Sequence, residues 1–594
     1  MPVDAVTLNP DLPTADASEK RGLPVRARRA MMTALVGFTC AALMGGMLWI
    51  MQYEGITTAE WAMLVPFALT LPWLAIGFWN AVLGLALTLR HDDPAGHVTP
   101  QLRRVSGNEP IVTRTAIVMA IRNESAEGAL HRFETVQRDL SHSPWAPRFD
   151  FHVLSDSSDP AICAREERIV ADWQARAPGV AIRYRRRSNN AGFKAGNIAE
   201  FVRRCRDGYD YFLPLDADSV MGAQAVLRLV RVMQTSPEVG MLQGLVVGTP
   251  SRTLFTRAFQ FGMRHGMRSF TLGSAWWQAD CGPNWGHNIL IRMAPFHDHC
   301  LLEPIAGRGP LAGDIMSHDQ VEAVLMRRAG LETRVVAEED ESFEDNPPSL
   351  PDFIKRELRW CNGNMQYLRL LHTPGLLPLS RVQLALAILM YVSPAAWFAF
   401  ILMGAALAGT GTQLSGVPLA EGLSLFAVIM TLSLAPKLMG LVQVLCSGVQ
   451  ARRYGGRSRV LAGGLTEAAF SFLVAPAVAF AITLGVLRLM LGSRMTWDAQ
   501  ARDRDRLRWG EAARSLWPQT MAGAMLTAYL AAVAPWSLWF AAPVLAALTF
   551  AVPLAVLTTL PALGTLSCRI GLFDLPEERK SPTAPPTPTL RAAA

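Results

Sequence analysis

Two aspartates that follow an apolar run are the residues of this sequence best suited to carry chemistry. Residues 211–215 (YFLPL) end in Asp216-Ala217-Asp218. If the run is a short buried strand, side chains two positions apart leave its end on the same face. Two carboxylates on one face repel each other unless a cation lies between them, and their hard oxygens suit Mg²⁺ or Mn²⁺ together with substrate phosphates. We therefore predict that Asp216 and Asp218 hold a metal against a nucleotide diphosphate.

An isolated pair of aspartates is also common in turns. The prediction therefore depends on further motifs, which contain glycines and cationic side chains. Residues 189–197 (NNAGFKAGN) are predicted to open a helix, where glycines allow close backbone approach and Lys194 can meet a base edge or a phosphate. Ordinary helix capping would also explain those glycines. Arg356 and Arg359 lie three apart on a predicted helix, so their guanidinium groups share a face. They could bind a diphosphate through forked hydrogen bonds, although a solvated surface pair has the same spacing.

The elements that must position these residues alternate between strand and helix. Strands are predicted at 115–121, 151–154, 181–185 and 211–215, with helices at 127–140, 161–175 and 195–206 between them. This alternation predicts an α/β domain with a mainly parallel sheet. Ligands of open α/β sheets bind at the carboxyl ends of the strands. We therefore expect Asn123, Glu124 and Asp156 to converge with the two aspartates on one crevice.

The composition predicts a membrane protein with a large soluble part. The chain has 594 residues, of which 51% are hydrophobic and 18% charged, and its net charge is +7. Basic residues cluster beside apolar segments, so the expected partner is membrane lipid and not nucleic acid. The eight cysteines contain no CxxC pair, which indicates reduced thiols and argues against a disulfide scaffold or a zinc site.

Charge and apolar runs divide the chain into five predicted parts. Uncharged runs at 31–51 and 61–89 can each span a core of ~30 Å, and they follow a basic cluster expected on the cytoplasmic side. A secretory signal peptide is disfavoured by the length of the first run and by the second run soon after it. The predicted parts are a disordered basic N-terminus (1–30), two transmembrane helices (31–90), a cytoplasmic α/β domain (91–380), a transmembrane helix bundle (381–568) and a disordered tail (569–594).

Seven or eight membrane crossings are expected in total. The uncertainty concerns 461–491, where Pro476 could break a hairpin or end an interfacial helix. Residues 497–514 alternate in charge and are predicted to form a solvated or membrane-surface helix.

Taken together, the motifs resemble those of glycosyltransferase family 2, whose domain has the GT-A fold. Their order along the chain is Asp156, the segment at 189–197, the Asp-Ala-Asp pair, 285–288 (WGHN), 317–319 (SHD) and 359–360 (RW). The flanking membrane helices look like those of processive synthases such as cellulose synthase. The sequence departs from cellulose synthase at two points, because SHD replaces Thr-Glu-Asp and Arg356 replaces the Gln of QxxRW.

Those departures are similar to one subfamily, the osmoregulated periplasmic glucan glucosyltransferase H family. The sequence segments shared with this family include LDADSVM at 215–221, GDIMSHDQV at 313–321, RWCNGN at 359–364 and GLFDLPEE at 571–578. The resemblance covers roughly residues 30–580.

This resemblance implies an inverting glucosyltransferase that uses UDP-glucose to extend a β-1,2-linked glucan. It implies a multi-pass protein of the bacterial inner membrane with a cytoplasmic catalytic domain, coupled to export of the product. Acyl carrier protein and a periplasmic glucan-processing protein are partners suggested by the family alone.

The resemblance also implies a role for each motif residue. The donor nucleotide would be held by Asn123, Glu124, Asp156, Lys194, Asp216, Arg356 and Arg359, with Mg²⁺ or Mn²⁺ on Asp216 and Asp218. Asp319 would be the catalytic base, and the acceptor side would be formed by Trp360, His287 and His318.

Two other functions remain open from the sequence. One is a different membrane synthase that makes a cellulose-like, hyaluronan-like or lipid-linked product. The other is a transporter whose cytosolic domain only senses a nucleotide sugar. A sensor needs no complete catalytic set, whereas this sequence has both metal aspartates, a candidate base and the arginine pair.

Overall fold

Two long apolar helices open the part of the chain that is described. The computed structural model describes residues 23–409, 419–493 and 506–579. Helix α1 covers Val25–Met51, α2 covers Thr58–Arg90, and the short α3 covers Pro94–Val98. The first two lie where the pair of membrane helices was predicted, and both are long and apolar enough to cross a membrane.

The next part is a series of strand–helix units, as predicted. The elements are β1 (Thr115–Ile121), α4 (Ala126–Ser141), β2 (Phe149–Ser155), α5 (Pro160–Arg176), β3 (Ile182–Arg186), α6 (Phe193–Cys205) and β4 (Tyr211–Asp216). Strand β1 pairs in parallel with β2 and β4, and β2 pairs in parallel with β3. Their ends differ from the predicted ends by two residues or fewer. Strands β1, β2 and β4 are buried on both faces, which explains the nearly continuous apolar runs of β1 and β4.

The second half of the domain was not predicted element by element. It contains β5 (Val220–Met221), α7 (Ala223–Gln234), β6 (Val239–Gly248), α8 (Leu254–Gln278), β7 (Ile289–Arg292), α9 (Met293–His299), α10 (Asp319–Arg328), β8 (Glu332–Glu344) and α11 (Leu350–Met365). The sheet has eight strands in the order β3-β2-β1-β4-β7-β6-β8-β5. Strand β7 is antiparallel to both β4 and β6, so the sheet is mixed although an α/β fold was correctly predicted. One apolar core lies under α4, α5 and α7, and another under α6, α9 and α10.

Helix α8 belongs to this domain by sequence but packs on the membrane helices. Glycines make the close approach to α2 possible. A Cβ on Gly84 would lie 1.7 Å from the carbonyl oxygen of Ser269, and one on Gly273 would lie 1.9 Å from that of Asn80. Any side chain at these positions would separate the two helices. The catalytic domain and the membrane helices therefore share α8 as a common element.

Eight further helices complete the described chain. They are α12 (Pro378–Ala408), α13 (Leu419–Cys446), α14 (Gly448–Arg453), α15 (Arg457–Met490), α16 (Trp509–Val533), α17 (Leu538–Thr549), α18 (Ala551–Thr558) and α19 (Pro561–Ile570). Among the described residues, five helices (α1, α2, α12, α13 and α15) are long and apolar enough to cross a membrane. Residues 535–558, which include α17 and α18, are bent by 59° and would add a sixth crossing.

This count of five or six candidate crossings in the described residues is lower than the seven or eight that were expected for the whole chain. Helix α15 runs unbroken through Pro476, so there is no hairpin at that point. A proline is tolerated in a membrane helix because neighbouring groups can satisfy the freed carbonyl. Helix α16 carries charges in its first turns and is not apolar enough to be counted. The first half of the charged helix predicted at 497–514 lies outside the described residues, and residues 509–514 of its second half belong to α16.

The predicted N-terminal boundary is also corrected. Helix α1 already begins at Val25, whereas residues up to 30 were expected to be disordered. Arg28 and Arg29 donate hydrogen bonds to the last carbonyls of α8, and Arg29 forms an ion pair with Asp280 at 2.5 Å. Cations near a helix C-terminus are favoured by its dipole, so this contact holds the start of α1 in place.

The tail predicted to be disordered from residue 569 is ordered in its first part. We call residues 571–579 the C-terminal strap. Arg257 and Arg264 of α8 are both buried, and the strap supplies their partners. Arg264 Nη2 lies 2.8 Å from a carboxylate oxygen of Glu577, and Arg257 contacts Glu578. Buried guanidinium groups require such partners, which explains why this charged segment packs inward.

Candidate active site

Three predicted motifs meet at the carboxyl end of β4. Asp216 is the last residue of that strand, and Asp218 follows it with 7% of its surface exposed. Lys194 lies in the first turn of α6, where Gly192 adopts a left-handed conformation (φ 71°) at the N-cap. Lys194 Nζ lies 2.5 Å from Asp216 Oδ1 and 2.7 Å from the carbonyl oxygen of Gly286. Lys194 thus joins the Asp-Ala-Asp pair to the WGHN turn.

The charge of Lys194 is maintained by its neighbours. Burial alone would lower the pKa of Lys194, but the carboxylates of Asp216 and Asp319 raise that pKa above its usual value. The cation therefore lies among carboxylates at neutral pH. The hard oxygens of Asp216 and Asp218 fit the chemistry of a Mg²⁺ or Mn²⁺ ligand set.

Asp319, the predicted base, faces the same place from α10. Gly286 has a positive φ of 85°, and a Cβ there would lie 2.3 Å from Asp319 Oδ1. Glycine is therefore needed for the turn and for the carboxylate to fit. Asp319 Oδ1 is buried and has no hydrogen-bond partner within the described part of the chain. A buried carboxylate oxygen without a donor is costly, and such an atom can receive a proton from a substrate hydroxyl.

His318 lies behind Asp319 between two carboxylates. Its Nδ1 is 2.9 Å from Glu322 Oε1, and its Nε2 is 3.1 Å from Asp319 Oδ1 without hydrogen-bond geometry. Burial lowers the pKa of His318, but Asp319 and Glu322 outweigh it and raise the pKa to about 9. The ligand atoms of these three residues lie within 4.8 Å of one another, as in a metal site. We describe the group as an ion triad, because each nitrogen of the imidazole faces one carboxylate.

A second buried histidine lies on the other side of the aspartates. His287 Nε2 is 3.1 Å from Glu344 Oε2 at the end of β8, and His287 Nδ1 is 3.4 Å from Ser219 Oγ. Burial lowers the pKa of His287, whereas Glu344 raises it to about 9. His287 is therefore an imidazolium near Asp216 and Asp218. Neither Glu344 nor Glu322 was predicted from the sequence, and only the spacing of four between Glu322 and His318 could have indicated one of them.

Asp156 is held by an arginine that sequence reasoning missed. Arg187 Nε and Nη2 each lie 2.7 Å from one carboxylate oxygen of Asp156, and both side chains are buried. The arginine follows β3 and Asp156 follows β2, so the pair joins two adjacent strand ends.

The two residues predicted after β1 lie in the loop beside this pair. The amide oxygen of Asn123 accepts hydrogen bonds from the backbone N–H groups of Ser158 and Asp159, so its side chain builds the loop that follows β2. Glu124 is the next residue and is partly buried. Contact of either residue with a nucleotide stays a prediction.

Arg356 of α11 lies in an aromatic environment. The guanidinium carbon of Arg356 is 4.6 Å from the ring centroid of Trp360, 5.0 Å from that of Phe353 and 5.7 Å from that of Phe259. Trp360 is 44% exposed, and Arg359 is partly buried on the same helix. These contacts assign Arg356 to the support of Trp360, and the predicted contact of Arg356 and Arg359 with a diphosphate remains a prediction.

Comparison with known proteins decides the family. Residues 116–300 match the model of glycosyl transferase family 2, and residues 211–412 match that of glycosyl transferase family group 2. Residues 116–412 of the chain therefore form a region of glycosyltransferase family 2. The GT-A fold predicted for the domain is the fold observed, with a mixed sheet between apolar flanking helices. The matched residues include Lys194, Asp216, Asp218 and Asp319, so the site just described lies within the family 2 region.

Curated relatives of this family 2 chain are named for glucan synthesis. Glucans biosynthesis glucosyltransferase H of Pseudomonas fluorescens (strain Pf0-1) is 34% identical over 542 residues. The protein of the same name from Pseudomonas aeruginosa (strain LESB58) is 35% identical over 545 residues. Each match covers 88% of this chain and 62% of the relative, so the chain spans about three fifths of the relatives' length.

One solved structure aligned with this family 2 chain is a mannosyltransferase from Pyrobaculum calidifontis, in complex with GDP-Man and Mn²⁺. The alignment covers 61% of this chain and 98% of the other, at 14% identity and a TM-score of 0.38.

Proposed function

We propose that the protein is an inverting glucosyltransferase that transfers glucose from UDP-glucose to a growing β-1,2-linked glucan. The observation that carries the proposal is the meeting of a carboxylate pair, a lysine and a candidate base at one strand end. Lys194 contacts Asp216 at 2.5 Å and the Gly286 carbonyl at 2.7 Å, while Asp319 packs against Gly286. The names of the relatives support glucose as the sugar and a glucan as the product.

The donor side of the site is assigned to the β1–β4 half of the sheet. Asp156, held by Arg187, would recognise the base, because its carboxylate can accept a hydrogen bond from an N–H group of uracil. Asn123 and Glu124 lie in the neighbouring loop. Asp216 and Asp218 would hold Mg²⁺ or Mn²⁺, which when bound supplies positive charge to the departing diphosphate. Lys194 and His287 add fixed cations nearby, so charge that develops on the leaving group meets preorganised partners.

The acceptor side is assigned to α10 and α11. Asp319 would accept the proton of the attacking sugar hydroxyl. At the same time the oxygen of that hydroxyl forms a bond to the anomeric carbon of the donor, and the bond from this carbon to the UDP oxygen breaks. Attack from the face opposite the leaving group inverts the configuration. His318 lies between Asp319 and Glu322, where its imidazolium can orient the carboxylate of Asp319. Trp360 offers an exposed aromatic face to the acceptor sugar.

The membrane helices give the proposal a location. We assign the protein to the bacterial inner membrane with the α/β domain in the cytoplasm, where nucleotide sugars are made. A product needed on the other side must cross the bilayer. Helix α11, which carries Trp360, contacts the membrane helix α12 through the hydrogen bond from Tyr391 to Glu357. Acyl carrier protein and a periplasmic glucan-processing protein belong to the proposal as partners on the evidence of family resemblance alone.

Incubation of membranes with labelled UDP-glucose, followed by linkage analysis of the product, tests this function. We expect a β-1,2-linked glucan and release of UDP. A 1,4-linked or mixed product would instead identify another membrane synthase. Nucleotide binding without any UDP release would favour the sensing transporter and would contradict the proposal.

Topology is tested separately. A reporter fused near residue 250, between β6 and α8, is expected to be active only when that loop lies in the cytoplasm. Activity restricted to the periplasm would contradict the assignment.

A further inference from the structure

A buried carboxylate outside the reacting groups organises the loop that carries Asp156. Glu166 lies on α5 and is 1% exposed. Its Oε2 accepts hydrogen bonds from Ser155 Oγ at 2.6 Å and from Tyr184 Oη at 2.9 Å, and its Oε1 accepts one from Ser157 Oγ at 2.6 Å. Carboxylates are almost never this buried unless they are paired. Here hydroxyl groups from three positions satisfy the charge.

The two serines held by Glu166 are the neighbours of Asp156 on either side. Ser155 is the last residue of β2, and Ser157 begins the loop after it. Each hydroxyl also accepts a backbone hydrogen bond, Ser155 Oγ from the N–H of Ser157 and Ser157 Oγ from that of Asn123. Each serine hydroxyl therefore donates its one proton to Glu166 and accepts a hydrogen bond from a backbone N–H group of the loops.

The third hydroxyl extends the same control to Arg187. Tyr184 lies on β3, three residues before Arg187, and the backbone N–H of Arg187 donates to the carbonyl of Ser155 at 3.0 Å. Glu166 thus holds the end of β2, which is followed by Asp156, and also β3, which is followed by Arg187. These two residues form the ion pair. We infer that Glu166 is a positioning residue that sets the geometry of the Asp156–Arg187 pair and thereby the affinity for a uracil nucleotide.

This inference rests on the proposed function, since it concerns how the donor base is held. It assigns to Glu166 a role in nucleotide binding and none in the transfer step. Its hydrogen bonds are made with Ser155, Ser157 and Tyr184, at the end of β2 and on β3. The expected signature is therefore a higher KM for the donor with a preserved kcat.

The test compares Glu166→Gln with Glu167→Gln in the full-length protein. Glu167 is the next residue on α5, its side chain is 53% exposed, and its contact with Arg186 is 3.8 Å long, so its substitution is a matched control. Glutamine at 166 replaces one acceptor oxygen by a donor and leaves one hydroxyl proton without a partner. We expect KM for UDP-glucose and the Kd for UDP to rise about tenfold, since a lost hydrogen bond to a charged group is worth roughly that factor. We expect kcat to change by less than about twofold and Glu167→Gln to match the wild type.

Tyr184→Phe provides an independent arm, since it removes one hydroxyl and keeps the ring. Its effect on the Kd for UDP should be smaller than that of Glu166→Gln and should not add to it in the double variant, because both act through one hydrogen-bond network. This arm decides the question if Glu166→Gln fails to fold.

The outcomes separate the inference from the proposed function. If the wild-type protein does not bind UDP, the proposed function fails. If the wild type binds UDP and both Glu166→Gln and Tyr184→Phe bind it equally well, only the inference fails. A fall in kcat at unchanged KM in either variant would also overturn it, because it would place Glu166 in the transfer step.

Discussion

The two halves of the catalytic sheet are built in different ways. From β1 to β4, all the pairing is parallel, β1 with both β2 and β4 and β2 with β3, and the helices between these strands cover the sheet. From β5 to β8 the pairing is mixed and joins distant segments, since β5 pairs with the end of β8 and β6 pairs with both β7 and β8. Within the described residues, α8 and α11 of the second half pack against the membrane helices. The first half is a layer of parallel strands and helices, whereas the second half is assembled together with the membrane helices.

The strand end between the two halves should show the largest effect. Asp218→Asn keeps the shape of the side chain but removes the charge needed for a divalent cation, so we expect activity to be abolished while the protein still folds. Excess EDTA should reproduce the loss. Asp207→Asn changes an exposed aspartate and serves as the control. Full turnover of UDP-glucose in EDTA would remove the metal from the proposal.

The second half should be separable from the first at Asp319. Asp319→Asn is expected to lower glucan synthesis by about 10²–10⁴-fold, the range for a general base, while UDP binding in the first half persists. His318→Gln should be milder, because the imidazolium orients the base and does not accept the proton. Rates in the reverse order would make His318 the base and would contradict the assignment of Asp319.

A pH profile of stability tests the ion pair between the end of β8 and the WGHN turn. The folded-state pKa of His287, about 9, is above the value of 6.5 expected when the chain is unfolded. The pair therefore contributes its full stability below pH 6.5, and the contribution is lost as the pH rises through 9. A difference of that size corresponds to about 3 kcal/mol at most.

Glu344→Gln should therefore lower Tm at pH 6 and leave it nearly unchanged at pH 10. The double variant with His287→Gln is the control and should follow the same profile as Glu344→Gln alone. A loss of stability that is equal at both pH values would show that the carboxylate acts by packing and not by pairing with the imidazolium.

The smallest effect is expected at the aromatic support of α11. Arg356→Lys keeps the charge but loses the planar stacking on Trp360 and Phe353, worth about 0.5–1 kcal/mol for a partly exposed contact. We expect synthesis to fall about two- to fivefold, with the Kd for UDP unchanged. A large loss of UDP affinity would instead support a direct contact of Arg356 with the diphosphate.

The first half of the sheet and the main site residues were readable from the sequence because their signals are local. Apolar runs define β1, β2 and β4, the helical periods between the strands define α4 to α6, and Asp216, Lys194 and Asp319 belong to recognisable motifs. Antiparallel β7 was missed because its partners β4 and β6 are set by the tertiary fold. Glu344 and Arg187 were missed for the same reason, since an ion pair between distant segments leaves no pattern in either one.

The charged ends of the chain were misjudged on a different ground. Arg28, Arg29, Glu577 and Glu578 stand in polar segments, and such segments are usually solvated. In the structure, these charges face partners on or next to α8, and the pairing removes them from solvent. The composition of a segment shows that burying its charges would be costly. It does not show whether an opposite charge elsewhere in the fold offsets that cost.

The C-terminal strap also imposes an order on biosynthesis. Arg257 is 1% exposed, and its side-chain partners Ser567 and Glu578 follow it by 310 and 321 residues. At translation rates of about 5–20 residues per second, the ribosome makes those partners roughly 15–60 s after α8. During that interval α8 carries a guanidinium group that cannot be buried at low cost. The junction between the catalytic domain and the membrane helices is therefore completed only after the C-terminal strap has emerged. A chain cut short before residue 571 would leave the strap-binding side of α8 open to proteases.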